Sequence, residues 1–173
     1  MRALAPVALC LALVACAGDA PEQSDWERAQ QAQSWQESRV TLPPYPREAN
    51  LVEFKVGARS DFHFLVDTAS LSVGSDGVVR YVLLARSSEG AQNVSFEGLR
   101  CKDGEYKIYA TGSANGAWLG VREPRWRPVE QGAGSWHRML ANNYFCPARE
   151  PIRTVAEGID ALRRGGNSRA RGS

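Results

Sequence analysis

The stretch from Phe62 to Gly112 constrains the fold more than any other part of the chain. It reads FHFLVDTASLSVGSDGVVRYVLLARSSEGAQNVSFEGLRCKDGEYKIYATG, four apolar runs separated by clusters of Gly, Asp and Ser. Runs of this length between turn-forming clusters are successive antiparallel strands. Val79, Tyr81, Leu83 and Ala85 share one face, and Val94 and Phe96 alternate with Asn93, Ser95 and Glu97. Tyr106, Ile108 and Ala110 alternate with Glu105, Lys107 and Tyr109. A period of two sends one set inward and the other outward. Ser75-Asp76-Gly77 and Lys102-Asp103-Gly104 provide Asp-Gly turns, in which glycine takes a positive φ. Asn50 to Val56 (NLVEFKV) alternates in the same way and forms a strand ahead of the meander.

The amino terminus reads as an export signal. Arg2 is a short positive region and Leu4 to Ala15 an apolar one, too short for a stable membrane span. The run ends in Leu13-Val14-Ala15-Cys16, which resembles the bacterial lipobox. That resemblance implies cleavage before Cys16, a thioether-linked diacylglycerol on its sulfur and acylation of the new amino group. The residue after Cys16 is Ala17 rather than Asp. For a Gram-negative lipoprotein this implies the outer membrane, periplasmic face, with the domain anchored by lipid. The alternative is an ordinary secretory signal with an incidental cysteine. Ala17 to Ser24 (AGDAPEQS) is small and polar, as a tether is.

Of four cysteines, Cys10 leaves with the signal and Cys16 takes the lipid, so Cys101 and Cys146 remain as a pair in an oxidising compartment. A disulfide is the favoured reading. A reactive thiol would need an activating partner, for which His137 is nearest in sequence. The spacing of His63, Cys101, His137 and Cys146 does not match a zinc site, so no metal is expected. The net charge of +2 argues against a nucleic-acid binder.

Asp25 can cap a short helix over WERAQQAQSWQES. Pro43, Pro44 and Pro46 then block helix and central strand. They describe an extended strap laid across the sheet by Leu42 and Tyr45, with docking into a partner's aromatic groove as the alternative. His63 lies between aromatics and reads as a sheet residue. Phe64 to Ser70 (FLVDTAS) resembles the catalytic turn of aspartic proteases, but that chemistry needs two carboxylates sharing a proton. With one copy present, a strand ending in an Asp-initiated turn is the better account. Gly98 marks a bulge or a close backbone approach.

Beyond Gly112 the chain is rich in Gly, Pro, Trp and Arg. Trp118, Arg125, Trp126 and Arg127, with Arg80 and Arg100 from the sheet, form the candidate binding surface. Indole faces stack on rings, and guanidinium pairs with carboxylate or phosphate. The competing reading has the tryptophans plugging sheet edges under arginine stems. Ser135 caps a helix to Phe145 with Met139, Leu140 and Tyr144 inward, stopped by Cys146-Pro147. Ile152 to Arg163 is the clearest helix, since Ile152, Val155, Ala156, Ile159 and Leu162 recur at three and four. Gly158 weakens it slightly.

Several of these segments together resemble one known family. They are Leu42-Pro43, Tyr45-Pro46, Asn50-Leu51, Phe64 to Ser70, Asp76-Gly77-Val78-Val79-Arg80-Tyr81, Asn93 to Cys101 (NVSFEGLRC), and Tyr144-Phe145-Cys146-Pro147. The chain is similar over residues 26 to 163 to the cryptic neisserial protein-like family of small proteobacterial envelope proteins. The resemblance implies an exported or lipid-anchored domain, and it transfers no catalytic residues.

The sequence therefore predicts an α+β domain: an antiparallel meander of five or six strands with C-terminal helices packed on one face. The parts are a signal peptide at 1–15, the lipidated Cys16 and tether at 16–24, one domain at 25–163 and a free basic tail at 164–173. No nucleophile elbow, phosphate loop or paired-carboxylate motif occurs, and no cofactor is expected. The expected function is non-enzymatic binding of an envelope protein or cell-wall polymer. The alternatives are a cell-wall hydrolase, or a structural subunit of an outer-membrane assembly. A pocket holding a carboxylate in a perturbed setting would favour the hydrolase, and a flat Trp/Arg surface the binder.

Overall fold

The computed structural model describes residues 35–57, 60–129 and 135–171. The expected signal peptide, lipidated Cys16, tether and first part of the Asp25-capped helix lie outside the described residues; its last residues, Trp35 to Ser38, are described and are not helical. Every element below belongs to the unit Gln36–Ser173.

The strands are β1 (Leu51–Phe54), β2 (Phe62–Val73), β3 (Val78–Ser87), β4 (Gln92–Arg100), β5 (Glu105–Gly112), β6 (Trp118–Gly120) and β7 (Arg127–Pro128). They form one antiparallel sheet in the order β1-β2-β3-β4-β5-β6, with β7 also paired to β5. The meander is thus the expected one, lengthened by two short strands from the Gly/Pro/Trp region. Gly77, Gly90 and Gly104 have φ of 76°, 90° and 68°, which is why glycine stands at these turns.

Alternation with one face in and one out holds only in part, because β3 is buried on both sides from Val78 to Leu84. Val79, Tyr81 and Leu83 join the larger core with Phe64, Val66, Leu99 and the C-terminal helices. Val82 and Leu84 join a second core with Val94, Phe96 and Ala110. The strap covers this second core through Val40 and Tyr45. The Tyr45 ring lies 5.2 Å from that of Trp118, whose indole N–H donates to the Pro43 carbonyl at 2.8 Å. Leu42, expected to help, is exposed.

Two irregularities correct the simple alternation. The β4–β5 register shifts between Phe96 and Glu97, so that Phe96 faces Ala110 while Glu97 faces Ile108. The extra residue carries Ala110 away from the face of Tyr106 and Ile108 and into the second core. Gly98 lies beside the shift, where an added Cβ would meet Val78 Cγ1 at 2.9 Å. In β2 the register shifts between Asp67 and Ser72, so the strand continues as a bulge where a terminating turn was expected. Asp67 is buried there and accepts the Ala69 N–H at 3.2 Å, and burial raises its pKa.

The helix starting at Ser135 is α1 (Trp136–Met139), widened into a π-helical stretch over Leu140–Phe145. Ser135 Oγ accepts the Arg138 N–H at 3.3 Å, as an N-cap does. Leu140, Tyr144 and Phe145 are buried. The wide turn closes with Cys146 N–H donating to the Ala141 carbonyl at 2.8 Å. Helix α2 (Val155–Arg164) is capped by Thr154 and ends in left-handed Gly165. Cys101, just beyond β4, and Cys146 are disulfide-bonded with Cα atoms 5.2 Å apart, pinning the end of the π-helical stretch to the sheet.

The basic tail expected from Arg164 departs from that reading. Asn167 is buried, donates to the Tyr144 carbonyl at 3.3 Å and to Glu157 Oε1 at 2.9 Å, and Ser168–Arg171 is a 3₁₀ turn. Arg169 donates to Glu157 Oε1 at 2.9 Å and to the Pro151 carbonyl at 3.1 Å. One internal carboxylate holds a segment that composition alone marks as solvated.

Candidate functional site

The six residues of the candidate binding surface divide between the two faces of the sheet. Arg80 and Arg100 project from β3 and β4 on the strap side. The Arg100 guanidinium lies 5.2 Å from the Trp126 ring, and Lys107 Nζ lies 5.5 Å from the same ring and 5.3 Å from Tyr109. Arg80 reaches the Tyr109 ring at 5.7 Å. Trp118 stays on this side, beyond Phe96 at 6.4 Å. Arg125 and Arg127 instead line a small hollow with Tyr106 and Ile108 on the helix side. Arg125 is exposed and paired with Glu123.

Acids from this same chain occupy the cations of the strap side. Asp76 binds Arg80 through both oxygens, at 3.1 and 2.6 Å. It also accepts the N–H groups of Ser38 and Val78 at 2.8 and 3.2 Å. Burial opposes the charge on Asp76, but the Arg80 and backbone hydrogen bonds outweigh it and bring its pKa to about 2. Glu37, from the strap, accepts Lys107 Nζ and Tyr109 Oη, each at 2.7 Å. Burial again opposes ionisation, and these donors again lower the carboxyl pKa. Arg100 pairs with Asp103 at 2.8 Å and with Glu105. The arrangement is a ladder of cations and rings that fastens the strap.

The helix side offers different chemistry. A cleft of about 370 Å³ opens where the sheet extends past its helical cover. Its walls are Phe62, Phe64, Leu83, Ala85, Ile108 and Trp136, with Asn93, Ser95 and Thr111 supplying the polar side chains. Trp136 stacks on Phe64 with centroids 5.2 Å apart and planes 21° apart. Glu97 also lines the cleft although it is only 1% exposed.

Glu97 is held by three side chains. Oε1 accepts Ser95 Oγ at 2.6 Å; Oε2 accepts Tyr81 Oη at 3.1 Å and lies 2.9 Å from His137 Nε2. Tyr81 is its cross-strand partner and Ser95 its neighbour on the same face. His137 comes from the first turn of α1 and stacks on Tyr106 with centroids 3.7 Å apart. Burial first, and the Glu97 charge second, push the Tyr81 hydroxyl well above its ordinary pKa, so it stays a donor. The serine hydroxyl is bonded to the carboxylate and not to the imidazole, so Ser95 and His137 do not form a nucleophile–base pair. The site is an acceptor at the base of an apolar, aromatic-walled cleft.

The model of the CNP1-like family matches residues 30–163. The chain belongs to the CNP1-like family. It is also similar to Cryptic neisserial protein 1 of Neisseria gonorrhoeae (strain ATCC 700825 / FA 1090). The two are 26% identical over 140 residues, which cover 71% of this chain and 69% of that protein. No solved structure matches the chain. The family match spans the whole meander, α1 and most of α2, so both the strap ladder and the cleft lie within it.

Sequence reasoning passed over Glu97, and weighed His137 only as a partner for a cysteine thiol, whereas Cys101 and Cys146 are disulfide-bonded and His137 pairs with Glu97. A signal for Glu97 was present: a hairpin closed around Glu89-Gly90 sets Tyr81 opposite Glu97, and a tyrosine facing an acid across a buried strand pair is a hydrogen-bond candidate. His137 carried no such signal, because its partner lies forty residues away in sequence. His63, read as a sheet residue, is that: its Nδ1 lies 2.8 Å from Glu53 in an exposed pair.

Proposed function

We propose that this CNP1-like protein is an outer-membrane lipoprotein anchored through Cys16. In this reading its periplasm-facing, non-enzymatic domain binds an envelope component in the cleft beside Trp136. The cleft carries the reading: exposed Phe62 and half-buried Ile108 and Trp136 are kept apolar around a few convergent polar groups, as in ligand sites. The disulfide supports an oxidising compartment. The Trp/Arg surface is less suited to capture, because its strap-side cations are already paired within the chain.

One observation favours a hydrolase as the second reading: the cleft does contain a buried carboxylate. Binding is preferred because Glu97 already accepts three donors and, among the described residues, no second carboxylate lines the cleft. Hydrolysis of glycosidic bonds uses two.

Two measurements test the proposal. Cys16→Ser is expected to remove the acyl mass and release the protein from the membrane fraction; wild type recovered soluble and cut elsewhere refutes the anchor. A photoreactive phenylalanine analogue at Thr111, on the cleft rim, is expected to give envelope adducts that the cleft-filling variant Ile108→Trp abolishes. The same analogue at Arg163, exposed on α2, serves as control. Equal adducts from both positions, or adducts indifferent to Ile108→Trp, refute the cleft as the site. Turnover of cell-wall material that Glu97→Gln abolishes would establish the hydrolase instead.

A further inference from the structure

The geometry points to a small amphipathic primary amine as the ligand class of the cleft, its alkyl or aromatic body between Phe64, Ile108 and Trp136 and its ammonium directed at Glu97. This deepens the proposed binding role and rests on it. Three observations carry it. Among the described residues, Glu97 is the one charged group lining the cleft, and no lysine or arginine lines it, so the field favours a cation and repels an anion. An ionised carboxylate has about four acceptor sites. Tyr81 and His137 take Oε2 while Ser95 alone takes Oε1, which leaves Oε1 able to accept one further donor. Finally, Phe62, Phe64 and Trp136 wall the same cleft with aromatic rings, and ring faces attract an ammonium in a desolvated setting.

The chemistry is selective in a defined order. A primary ammonium gains both the charge and a charge-assisted hydrogen bond. An alcohol of the same length keeps the apolar contact and a neutral hydrogen bond. A carboxylate of the same length meets Glu97 with like charge.

The test is calorimetric titration of the purified, oxidised full chain carrying Cys16→Ser, which lacks the acyl anchor, with octylamine, 1-octanol and octanoate, each below its aggregation concentration. Octylamine is expected to bind about ten-fold or more tightly than octanol, with octanoate not detected. Glu97→Gln is expected to bring the amine-to-alcohol ratio towards one while octanol binding persists. Thr111→Trp, at the exposed rim, is expected to weaken both. Octanol or octanoate binding as tightly as octylamine, or no probe binding at all, overturns the inference. An amine preference that survives Glu97→Gln also overturns it. The wild-type series decides the matter by itself if Glu97→Gln fails to fold. A flexible peptide with a single lysine that matches octylamine overturns the assignment to a free amine. Envelope adducts from Thr111 without an amine preference would leave the binding role standing and remove this inference; an amine preference without adducts would leave the cleft's amine chemistry standing and remove an envelope component as its occupant.

Discussion

Replacing Asp76 by asparagine removes one charge from the strap ladder and keeps the side chain's shape. The Asp76 side chain is 1% exposed, and its carboxylate clamps Arg80 while accepting the backbone N–H groups of Ser38 and Val78. Its pKa falls from 3.8 to about 2, so the native state favours the ionised form by about 2 kcal/mol at neutral pH. The buried-pair argument gives a larger figure. An ion pair broken on one side costs about 3–5 kcal/mol, because the remaining charge is left uncompensated. Here Glu37 stays 3.7 Å from Arg80 and supplies a second counter-charge, so the lower figure governs. The expected loss is about 2–3 kcal/mol, or roughly 5–10 °C in Tm for a domain of this size.

The sign of the pH dependence separates this account from simple repacking. A depressed carboxyl stabilises fully above its unfolded pKa and loses that contribution as pH falls through the folded value. The wild type should therefore lose its advantage over Asp76→Asn between about pH 5 and pH 2. About half of it remains at pH 3, for an unfolded value of 3.8 and a folded value near 2. Glu37 and Glu157 are also lowered and destabilise both proteins in acid, so the difference between the two isolates Asp76. Urea unfolding of both proteins at pH 7, 4 and 3 measures it. A difference below about 0.5 kcal/mol at pH 7, or one that does not shrink towards pH 3, refutes the reasoning.

Three further outcomes follow from named contacts. Removing both Cys101 and Cys146 opens a loop of 45 residues and should cost about 2–4 kcal/mol in urea unfolding; free-thiol labelling of both in the exported wild type would refute the bond. Trp126→Ala should lower Tm, because Arg100 and Lys107 lie over its ring, whereas Arg127→Ala at the exposed β7 should not; equal effects would refute the division of that surface. Gly158→Ala should destabilise by about 1–3 kcal/mol, although alanine is the better helix former, since its Cβ would meet Ile152 Cδ1 at 2.6 Å and Leu71 Cδ2 at 2.8 Å; a gain in stability would refute this.

Local chemistry made much of the fold legible. Asp-Gly turns and two-residue periods placed β2 to β5, since each signal lies within the element it describes. Helix α2 was legible for the same reason, although its first turn begins three residues after Ile152. That residue packs from an extended lead-in whose N–H donates to the Phe145 carbonyl at 2.9 Å. What escaped depends on partners far along the chain. The paired state of Arg80 and Lys107 requires Glu37 and Asp76 to arrive from the strap and a turn. The order of Arg164 to Arg171 requires Glu157 and the Asn143 and Tyr144 carbonyls. The β4–β5 bulge leaves no mark in composition, yet it decides that Lys107 and Tyr109 face the strap with Ala110 while Ile108 lines the cleft.

The position of the cleft follows from the lengths of the two layers. Strands β2 and β3, of twelve and ten residues, run about 33–40 Å at the usual rise. The ten residues of α1 with its π-helical extension, and the ten of α2, each cover about 15 Å along their own axes. The cover is therefore shorter than the sheet, and the disulfide ties it to the end of β4 at Cys101. Bare sheet is left towards the opposite ends of the strands, at Phe62, Ala85, Asn93 and Thr111, the residues that rim the cleft. Where cover meets bare sheet, α1 begins, and its first turn is fixed twice, by Trp136 on Phe64 and by His137 at Glu97. A bare apolar sheet without a firm edge would invite association with any hydrophobic surface. The Glu97 acceptor, held by Ser95, Tyr81 and His137, places a fixed polar group at that edge, and under the proposed binding role it favours a ligand that supplies a donor over one that is merely apolar.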